Sequence, residues 1–209
     1  MAAKADITID LGKHAKECVA HIAVRLLRRT CHVKREQQSD QMTTIRKETT
    51  SDASAIEAMT VAAFRDAAHA SHAEHFIIRA LRDSGQLTVS LVAVDDGLIV
   101  GHVAVSPVTI SDGSSGWYGL GPISVDPDRQ RQGVGSLLMK GALAELRALG
   151  AAGCVVLGDP GYYSRFGFRA EPALVLPGVP AEYFQAISFG GDLPRGHVTY
   201  GDSFEATAG

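Results

Sequence analysis

The stretch of sequence that decides the fold is Val125-Asp126-Pro127-Asp128-Arg129-Gln130-Arg131-Gln132-Gly133-Val134-Gly135-Ser136. It joins a predicted apolar strand to a predicted amphipathic helix over residues 132–149, whose apolar side chains recur at helical spacing: Leu137, Leu138, Leu143, Leu146 and Leu149. The first turn of a helix has unpaired backbone N–H groups and the positive end of the helix dipole, so it favours an anion. Gly133 and Gly135 allow the backbone to approach phosphate oxygens closely. Arg129 and Arg131 add positive charge, so the stretch predicts a site for a phosphate-bearing ligand.

Two common phosphate loops are excluded by residues that this stretch lacks. A P-loop requires Lys and then Ser or Thr directly after its last Gly, whereas Gly135 is followed by Ser136 and Leu137. A dinucleotide-binding loop has a third Gly where this chain has Leu138. What remains is the pattern Q/R-x-x-G-x-G/A, which resembles the acetyl-CoA pyrophosphate loop of the GNAT N-acetyltransferase superfamily and is present as Gln130-Arg131-Gln132-Gly133-Val134-Gly135. Without a second motif, an ordinary tight turn remains an alternative interpretation.

A second segment supports the same resemblance. Residues 153–158 are a predicted buried strand, and a Tyr-x-x-x-Gly-Phe block follows the corresponding strand in GNAT enzymes; here it reads Tyr163-Ser164-Arg165-Phe166-Gly167-Phe168. The residues before each motif are most similar to those of the bacterial YhbS-type branch, and the resemblance covers residues 44–204. It implies an α/β (mixed α+β) GNAT fold, with a mixed, splayed central sheet flanked by helices.

Composition limits the classes of protein that this chain can belong to. Its 209 residues, 45% of them hydrophobic, are enough for one ample core. A net charge of −3 argues against a nonspecific nucleic-acid binder, which needs a basic face. Cys18, Cys31 and Cys154 have no C-x-x-C spacing, so the sequence predicts no disulfide framework and no zinc or other metal site. The sequence has neither an apolar run of the ~20 residues that span a bilayer nor a secretory signal, so it predicts a cytoplasmic protein.

The first 41 residues differ in pattern from the rest. Residues 13–29 predict a basic amphipathic helix, and residues 34–41 read as a linker, so we predict an N-terminal extension over residues 1–41 and a GNAT N-acetyltransferase domain over residues 42–209. The extension has three open interpretations. It is a surface for a membrane or partner, an accessory tail, or a segment upstream of a natural start at Met42.

From Met42 onward the pattern is regular. Residues 44–47 predict a strand. Ser51 or Asp52 can cap a first helix, and Ser54 with Glu57 is a second capping option. Residues 73–81 predict a second helix. Strands over residues 87–94 and 98–105 are joined by Asp95-Asp96-Gly97, which indicates a hairpin. Further strands are predicted over residues 117–125, 183–189 and 197–201, with a short helix before the last two.

The resemblance implies a set of site residues. In the family, the strand before the loop faces the pantetheine arm, and the loop and helix start bind the pyrophosphate. This places the cofactor-binding residues at Ile123, Ser124, Val125, Gln130, Arg131, Gln132, Gly133, Val134, Gly135 and Ser136. Gly121-Pro122 suits a local distortion of that strand, because Pro donates no ladder hydrogen bond, although a plain turn or strand edge is its other interpretation.

Tyr163 holds the family's general-acid position. A phenol with a pKa of ~10 is protonated at neutral pH and can protonate the departing thiolate of CoA. On its residues alone, an aromatic side chain beside Phe166 and Phe168 would be read as core, and the resemblance reverses that interpretation. Tyr162 is adjacent, but the spacing to Gly167 and Phe168 selects Tyr163.

No general base is assigned. His69, His72, His75 and Glu74 cluster where family members often bind the acceptor, and a surface or core role is their common alternative. Cys154 as an acyl-carrying nucleophile would imply a ping-pong route, but its neighbours Val155 and Val156 indicate a buried strand. Many GNAT proteins have an Asn several residues before the Tyr, and this chain has only Asp159-Pro160 there.

The sequence therefore predicts an acetyl-CoA-dependent N-acetyltransferase that moves the acetyl group directly to a primary amine of a small-molecule or protein acceptor. Acetyl-CoA is the co-substrate, with no metal, no nucleic-acid partner and no membrane span. The prediction leaves room for a homodimer. The alternative is a non-catalytic acyl-CoA-binding or regulatory module.

Overall fold

A computed structural model of the protein describes residues 43–65 and 72–207. Its α-helices are α1 (Ala53–Phe64), α2 (Glu74–Asp83), α3 (Val134–Ala148) and the one-turn α4 (Pro160–Tyr163). Its strands are β1 (Thr44–Lys47), β2 (Val89–Asp95), β3 (Leu98–Ile110), β4 (Trp117–Val125), β5 (Gly153–Leu157), β6 (Arg169–Ala170), β7 (Leu174–Val175), β8 (Phe184–Ser188) and β9 (Gly196–Tyr200). The predicted extension over residues 1–41, with Cys18 and Cys31, lies outside the described residues, as does His69.

The described strands form a mixed sheet in the order β1-β2-β3-β4-β5-β8-β6, and β9 pairs with β3 and β7 beside this path. The parallel pairing of β4 with β5 runs only from Trp117 opposite Gly153 to Leu120 opposite Val156. Beyond Leu120, within the described part of the chain, β4 pairs with β3 alone. The sheet therefore opens between β4 and β5, and the predicted fold class, a mixed and splayed sheet flanked by helices, is confirmed.

The predicted distortion at Gly121-Pro122 is seen in the register of β3 and β4. Val103 pairs with Ile123, but Val105 pairs with Leu120. Gly121 and Pro122 therefore stand opposite a single residue, as in a β-bulge, which bends the strand. The bulge lies where β4 leaves β5.

The helices cover both faces of the sheet. The buried side chains of α3 pack on one face with Leu91 and Val103; they are Leu138, Met139, Ala142, Leu143 and Leu146. Ile56 of α1 and Leu81 of α2 pack on the other face with Val92. Because Leu91 and Val92 are consecutive, they point to opposite faces of a strand, and the domain has three layers.

The hairpin between β2 and β3 is confirmed, with φ of 51° at Asp96 and 77° at Gly97, as a tight primed turn requires. Strand β3 is longer than predicted and runs to Ile110 instead of residue 105. Its added residues pack Val108 and Ile110 into a second cluster with Trp117 and Val198. The predicted tail strands correspond to β8 and β9, whereas the two-residue strands β6 and β7 were not predicted because they are too short to show a pattern.

The helix boundaries differ in detail from the prediction. The helix predicted for residues 132–149 begins at Val134 and ends at Ala148, and two of its predicted apolar-face residues are exposed: Leu137 is 42% and Leu149 57% exposed. Leu137 is one step round the helix from the buried Leu138, and Leu149 lies beyond the last helical residue. Before α1, a short 3-10 turn has a capping box between Thr49 and Asp52. Asp52 is also the N-cap residue of α1, as predicted, although its side chain makes no capping hydrogen bond to that helix, whereas Ser51 is not its cap and Ser54 lies inside it.

A buried polar network ties β1, β2 and β3 to α2. Arg82 Nε donates to Glu48 Oε1 at 2.6 Å, and His102 Nε2 lies 2.8 Å from Ser90 Oγ, which also hydrogen-bonds the Glu48 carboxylate. Burial alone would raise the pKa of Glu48, but the hydrogen bonds from His102, Arg82 and Ser90 outweigh it and lower that pKa from 4.5 to about 2. Burial also lowers the pKa of His102 below its ordinary value, against the pull of the Glu48 carboxylate.

This network predicts a loss of stability in acid. A carboxyl group whose pKa is lower in the folded state contributes its full stability above its unfolded pKa of 4.5 and loses that contribution as the pH falls towards 2. For Glu48 this amounts to about 3 kcal/mol, and the lowered pKa of His102 adds a loss in the same direction that begins below its unfolded pKa of 6.5. Urea unfolding measured across this range should therefore give a falling free energy of unfolding. The Glu48→Gln variant should show a shallower fall below pH 4.5, with the exposed Glu182→Gln as control; parallel curves for Glu48→Gln and the unchanged protein would contradict the assignment.

Candidate active site

The loop between β4 and α3 is held by its own side chains. A 3-10 turn over Pro127–Arg129 is capped by Asp126, whose carboxylate accepts the Asp128 N–H at 2.9 Å. The chain then turns twice through the left-handed region, with φ of 61° at Arg131 and 91° at Gly133. Gly133 directly precedes α3 and has no side chain with which to cover the end of the helix.

The first turn of α3 is open to a ligand. The Leu137 N–H donates to the Gly133 carbonyl at 3.0 Å, which is the first hydrogen bond of the helix. The N–H groups of the three preceding residues therefore point out of the helix end, where the helix dipole is positive. This arrangement favours an anion in front of the turn.

A cleft of about 770 Å³ lies in front of this turn. Its lining residues come from β4, the loop, the start of α3 and the segment after β5; they are Ile123, Val125, Gln130, Arg131, Gly133, Gly135, Ser136, Gly158, Asp159, Tyr162, Tyr163 and Arg165. Arg131 and Arg165 bring positive charge to it, and Asp159 is the acid among these described residues. The cleft therefore has the size and charge for an elongated, phosphate-bearing ligand.

Seven of the ten residues predicted to bind cofactor line this cleft, and Ser124, Gln132 and Val134 do not. Ser124 is buried on the opposite face of the sheet, where its Oγ lies 3.2 Å from Thr60 Oγ1. Side chains alternate along a strand, so Ile123 and Val125 face the cleft and Ser124 faces away. Gln132 donates from Nε2 to the Asp128 carbonyl at 2.8 Å, and the side chain of Val134, the first residue of α3, is buried in the core.

The residues that give the cleft its positive charge differ in part from those predicted. Arg129 forms an ion pair with Asp95 at 2.7 Å and does not line the cleft, whereas Arg165 does. The Arg165 guanidinium lies 4.5 Å from the centre of the Tyr162 ring, and its Nε donates to the Tyr162 carbonyl at 3.1 Å. The one-turn helix α4 folds this segment back towards α3, a tertiary contact that no sequence pattern signals.

Tyr162 lies against the first turn of α3. A Cβ placed on Gly135 would be 2.7 Å from Tyr162 Oη and 3.6 Å from Val125 Cγ2. Burial raises the pKa of the Tyr162 phenol, while the Arg165 charge and the Ser136 side chain oppose the rise. The close approach of this phenol therefore leaves little room for a side chain at residue 135.

Tyr163 is buried and tightly packed. Its ring lies against the backbone of Gly158, where an added Cβ would collide with it, and it meets Tyr162 edge-on with ring centres 5.0 Å apart. The buried Gln185 donates to the Gly158 carbonyl at 3.1 Å and so fixes this wall. Burial raises the pKa of Tyr163, with further contributions from Tyr162 and Asp159, so its hydroxyl keeps its proton at neutral pH.

A second cavity, of about 360 Å³, is also lined by Tyr163. It is lined by Phe64, Glu74, Leu120, Gly121, Pro122, Ile123, Leu157, Tyr163, Leu176, Tyr200 and Phe204. Of these described lining residues, Glu74 is the one that carries a charge. Tyr163 and Ile123 line both cavities, so the two spaces meet at the splay between β4 and β5.

Among the described residues, none of the other predicted candidates for the chemistry lines both of these cavities, although the cavity beside His72 and His75 shares Phe64 and Glu74 with the second one. His72 and His75 line a smaller cavity of about 150 Å³ and neither of the two larger ones. Cys154 is fully buried in β5, and burial raises the pKa of its thiol, so it has neither access nor thiolate character for an acyl-carrying role. Asp159, which stands near the position of the family's Asn, lines the cleft, and its carboxylate accepts the Gly161 N–H at 2.9 Å.

Within the described ranges there is no group of His, Cys, Asp and Glu side chains that could hold a metal ion. None of the helices described there is long and apolar enough to cross a membrane. The predicted cytoplasmic localisation and the homodimer stay predictions.

Comparison with known proteins gives consistent matches. Residues 86–170 match the family model described as an acetyltransferase (GNAT) domain. The N-acetyltransferase YhbS of Escherichia coli K12 is 41% identical over 126 residues, which are 60% of this chain and 72% of that protein.

Two solved structures can be aligned with this chain over nearly their whole length. A GNAT family acetyltransferase from Brucella melitensis, solved with acetyl-CoA, is 48% identical with a TM-score of 0.70, over 78% of this chain and 99% of that one. E. coli YhbS, solved with CoA, is 33% identical with a TM-score of 0.73, over 82% of this chain and 97% of that one. The predicted family and its YhbS-type branch are therefore confirmed.

Proposed function

The chain belongs to the GNAT family of N-acetyltransferases, and from this premise we propose that it transfers an acetyl group from acetyl-CoA directly to a primary amine. The observation that carries the proposal is the junction at Tyr163, which separates a cleft with two arginines from a cavity whose charged side chain is Glu74. An anionic cofactor and a cationic amine would each find opposite charge on their own side. Their reacting ends would meet beside Tyr163.

The residues of the first cleft fit acetyl-CoA. The open first turn of α3, with Gly133 and Gly135, suits the pyrophosphate, and Arg131 and Arg165 add charge that phosphates favour. Ile123 and Val125 of β4 would border the pantetheine arm, whose amides can pair with the backbone that β5 leaves free beyond Leu120. The acetyl-CoA complex of the 48%-identical Brucella protein supports this choice of ligand.

Acetyl-CoA supplies the acetyl group and a thiolate leaving group. The bound ammonium ion first releases one proton to solvent, because only the neutral amine has the lone pair that attacks. As the amine nitrogen bonds to the acetyl carbon, the carbon–sulfur bond breaks, the nitrogen loses its second proton and the sulfur gains one. Tyr163 would donate a hydrogen bond and then a proton to the sulfur, because its hydroxyl is protonated and borders both spaces. A backbone N–H of the bulged segment of β4 would hold the acetyl oxygen as negative charge develops on it.

Direct transfer is favoured over a covalent acyl-enzyme. Cys154 is enclosed in β5 and lines neither of the two larger cavities, so the described residues offer no accessible thiol there. Initial rates measured with both substrates varied should therefore give intersecting reciprocal plots. Parallel plots would indicate a ping-pong route.

The activity itself is tested in two steps. Acetyl-CoA should raise the melting temperature, and free thiol should then be released from it when a panel of primary amines is added. Binding without thiol release from any amine would favour the non-catalytic module. Absence of both effects would remove the cofactor assignment.

A further inference from the structure

The second cavity carries an inference about the acceptor, which rests on the proposed function. The geometry points to a small primary amine with an aromatic or otherwise apolar body, whose ammonium group is recognised by Glu74. Glu74 acts here as a specificity-determining residue. The lining residues, the charge and the volume of the cavity support this assignment.

The walls of the cavity are mostly apolar. Seven lining residues are aliphatic or purely aromatic: Phe64, Leu120, Pro122, Ile123, Leu157, Leu176 and Phe204. Hydroxyl groups placed against such walls without hydrogen-bond partners lose their hydration at a cost. A polyhydroxylated amine such as an aminoglycoside is therefore disfavoured, and an apolar body gains from burial.

Two aromatic rings give the cavity a preformed wall. The rings of Tyr200 and Phe204 are tilted against each other with centres 4.5 Å apart, and both border the cavity. Tyr200 is itself fixed against Gly119, where an added Cβ would collide with its ring. Such a wall favours an aromatic ring in the ligand, because aromatic pairs gain more than their buried area alone provides.

The charge and the volume narrow the acceptor further. An alkylamine is an ammonium ion at neutral pH, since its pKa resembles that of lysine at ~10.4. The Glu74 carboxylate at the wall attracts this ion and repels an acceptor that also carries a carboxylate. The volume of about 360 Å³ equals that of roughly twelve water molecules, which is enough for a single-ring amine.

The inference is tested with matched amines. In thiol-release assays, kcat/KM should be highest for 2-phenylethylamine and lower for phenylalanine, which adds one carboxylate, and for kanamycin and an N-acetylated lysine peptide. A higher kcat/KM for kanamycin or the lysine peptide would overturn the acceptor class and leave the proposed function standing. No turnover of any amine, with acetyl-CoA still raising the melting temperature, would overturn both.

Glu74→Gln tests the residue itself. It should raise KM for 2-phenylethylamine roughly tenfold to a hundredfold, as expected for loss of a charge-assisted hydrogen bond, and leave KM for acetyl-CoA unchanged. The ratio of kcat/KM for 2-phenylethylamine to kcat/KM for phenylalanine should also fall in this variant. Asp83→Asn removes an exposed acid from the same helix and should change neither constant. An unchanged KM for 2-phenylethylamine, with an unchanged preference for it over phenylalanine, in a folded Glu74→Gln protein would overturn the proposed role of Glu74.

Phe204→Leu tests the aromatic wall separately. It should lower the preference for 2-phenylethylamine over hexylamine.

Discussion

Tyr163→Phe is expected to lower kcat by roughly 10²- to 10⁴-fold, with little change in KM for acetyl-CoA. Phenylalanine keeps the ring that packs against Gly158, Tyr162 and Phe168, so the walls of both cavities stay in place. Only the hydroxyl, the group proposed to protonate the sulfur, is lost. The measurement is steady-state thiol release at saturating amine, with the melting temperature as a check on folding.

The pH dependence of kcat tests the role of Tyr163 as a proton donor independently. Burial raises the pKa of Tyr163 above the ordinary phenol value of 10.0, so the donor form persists through the neutral and mildly alkaline range. The kcat profile should therefore show no loss of activity from ionisation of Tyr163 up to pH 10. A buried tyrosinate is unfavourable, so the main contribution of the group is a hydrogen bond to sulfur while the charge develops.

Tyr162→Phe is the matched control. Its ring borders the cleft but not the second cavity, so removing its hydroxyl should affect acetyl-CoA affinity more than kcat. Wild-type kcat in Tyr163→Phe with the chemical step limiting would mean that water or the substrate protonates the thiolate. Loss of acetyl-CoA binding in Tyr163→Phe would instead mean that the residue is a structural wall.

The parts of the fold that the sequence predicts well are those with local causes. The hairpin depends on Asp96 and Gly97, which adopt the positive φ values of a primed turn. The start of α3 depends on Gly133, and the buried stripe of that helix follows from the 3.6-residue period. Each of these needs only neighbours within a few positions.

The predicted residues of the site come from two short sequence motifs, the loop with β4 and the block that begins at Tyr163. The loop and β4 gave most of the first cleft, but strand alternation sends Ser124 to the other face of the sheet, and Arg129 pairs with Asp95. Arg165 lines the cleft where Arg129 was predicted to do so, because α4 folds the segment that contains Arg165 against α3.

The second cavity could not be predicted from sequence. Phe64, Leu176 and Phe204 meet there from three distant segments, brought together by the opening between β4 and β5. Glu74 was named only as one of four candidates on the acceptor side, and nothing distinguished it from the three histidines, since an acid in the first turn of a helix is common for electrostatic reasons. Its position on the cavity wall depends on the packing of α2 against the sheet.

Gly135→Val is expected to abolish the stabilisation that acetyl-CoA confers while the protein stays folded. In the unchanged protein, ligand at about 100 times Kd should add about 2.7 kcal/mol, or roughly 5–10 °C of melting temperature for a domain of this size. A valine at residue 135 would project between Tyr162 Oη and Val125, into the space in front of the helix turn. Valine is not a worse helix former than glycine, so the backbone of α3 should tolerate it.

Two further variants show which contact is responsible. Leu137→Val adds the same side chain at an exposed position of α3, outside the cleft, and should keep the full acetyl-CoA shift. Gly135→Ala should weaken binding less than valine does, because its single methyl group meets only the end of the Tyr162 side chain. Combining Gly135→Ala with Tyr162→Phe removes the atom that the methyl would touch, so the double variant should bind acetyl-CoA more tightly than Gly135→Ala alone if that clash is the cause. A full acetyl-CoA shift in folded Gly135→Val would mean that the pyrophosphate lies elsewhere than at the first turn of α3.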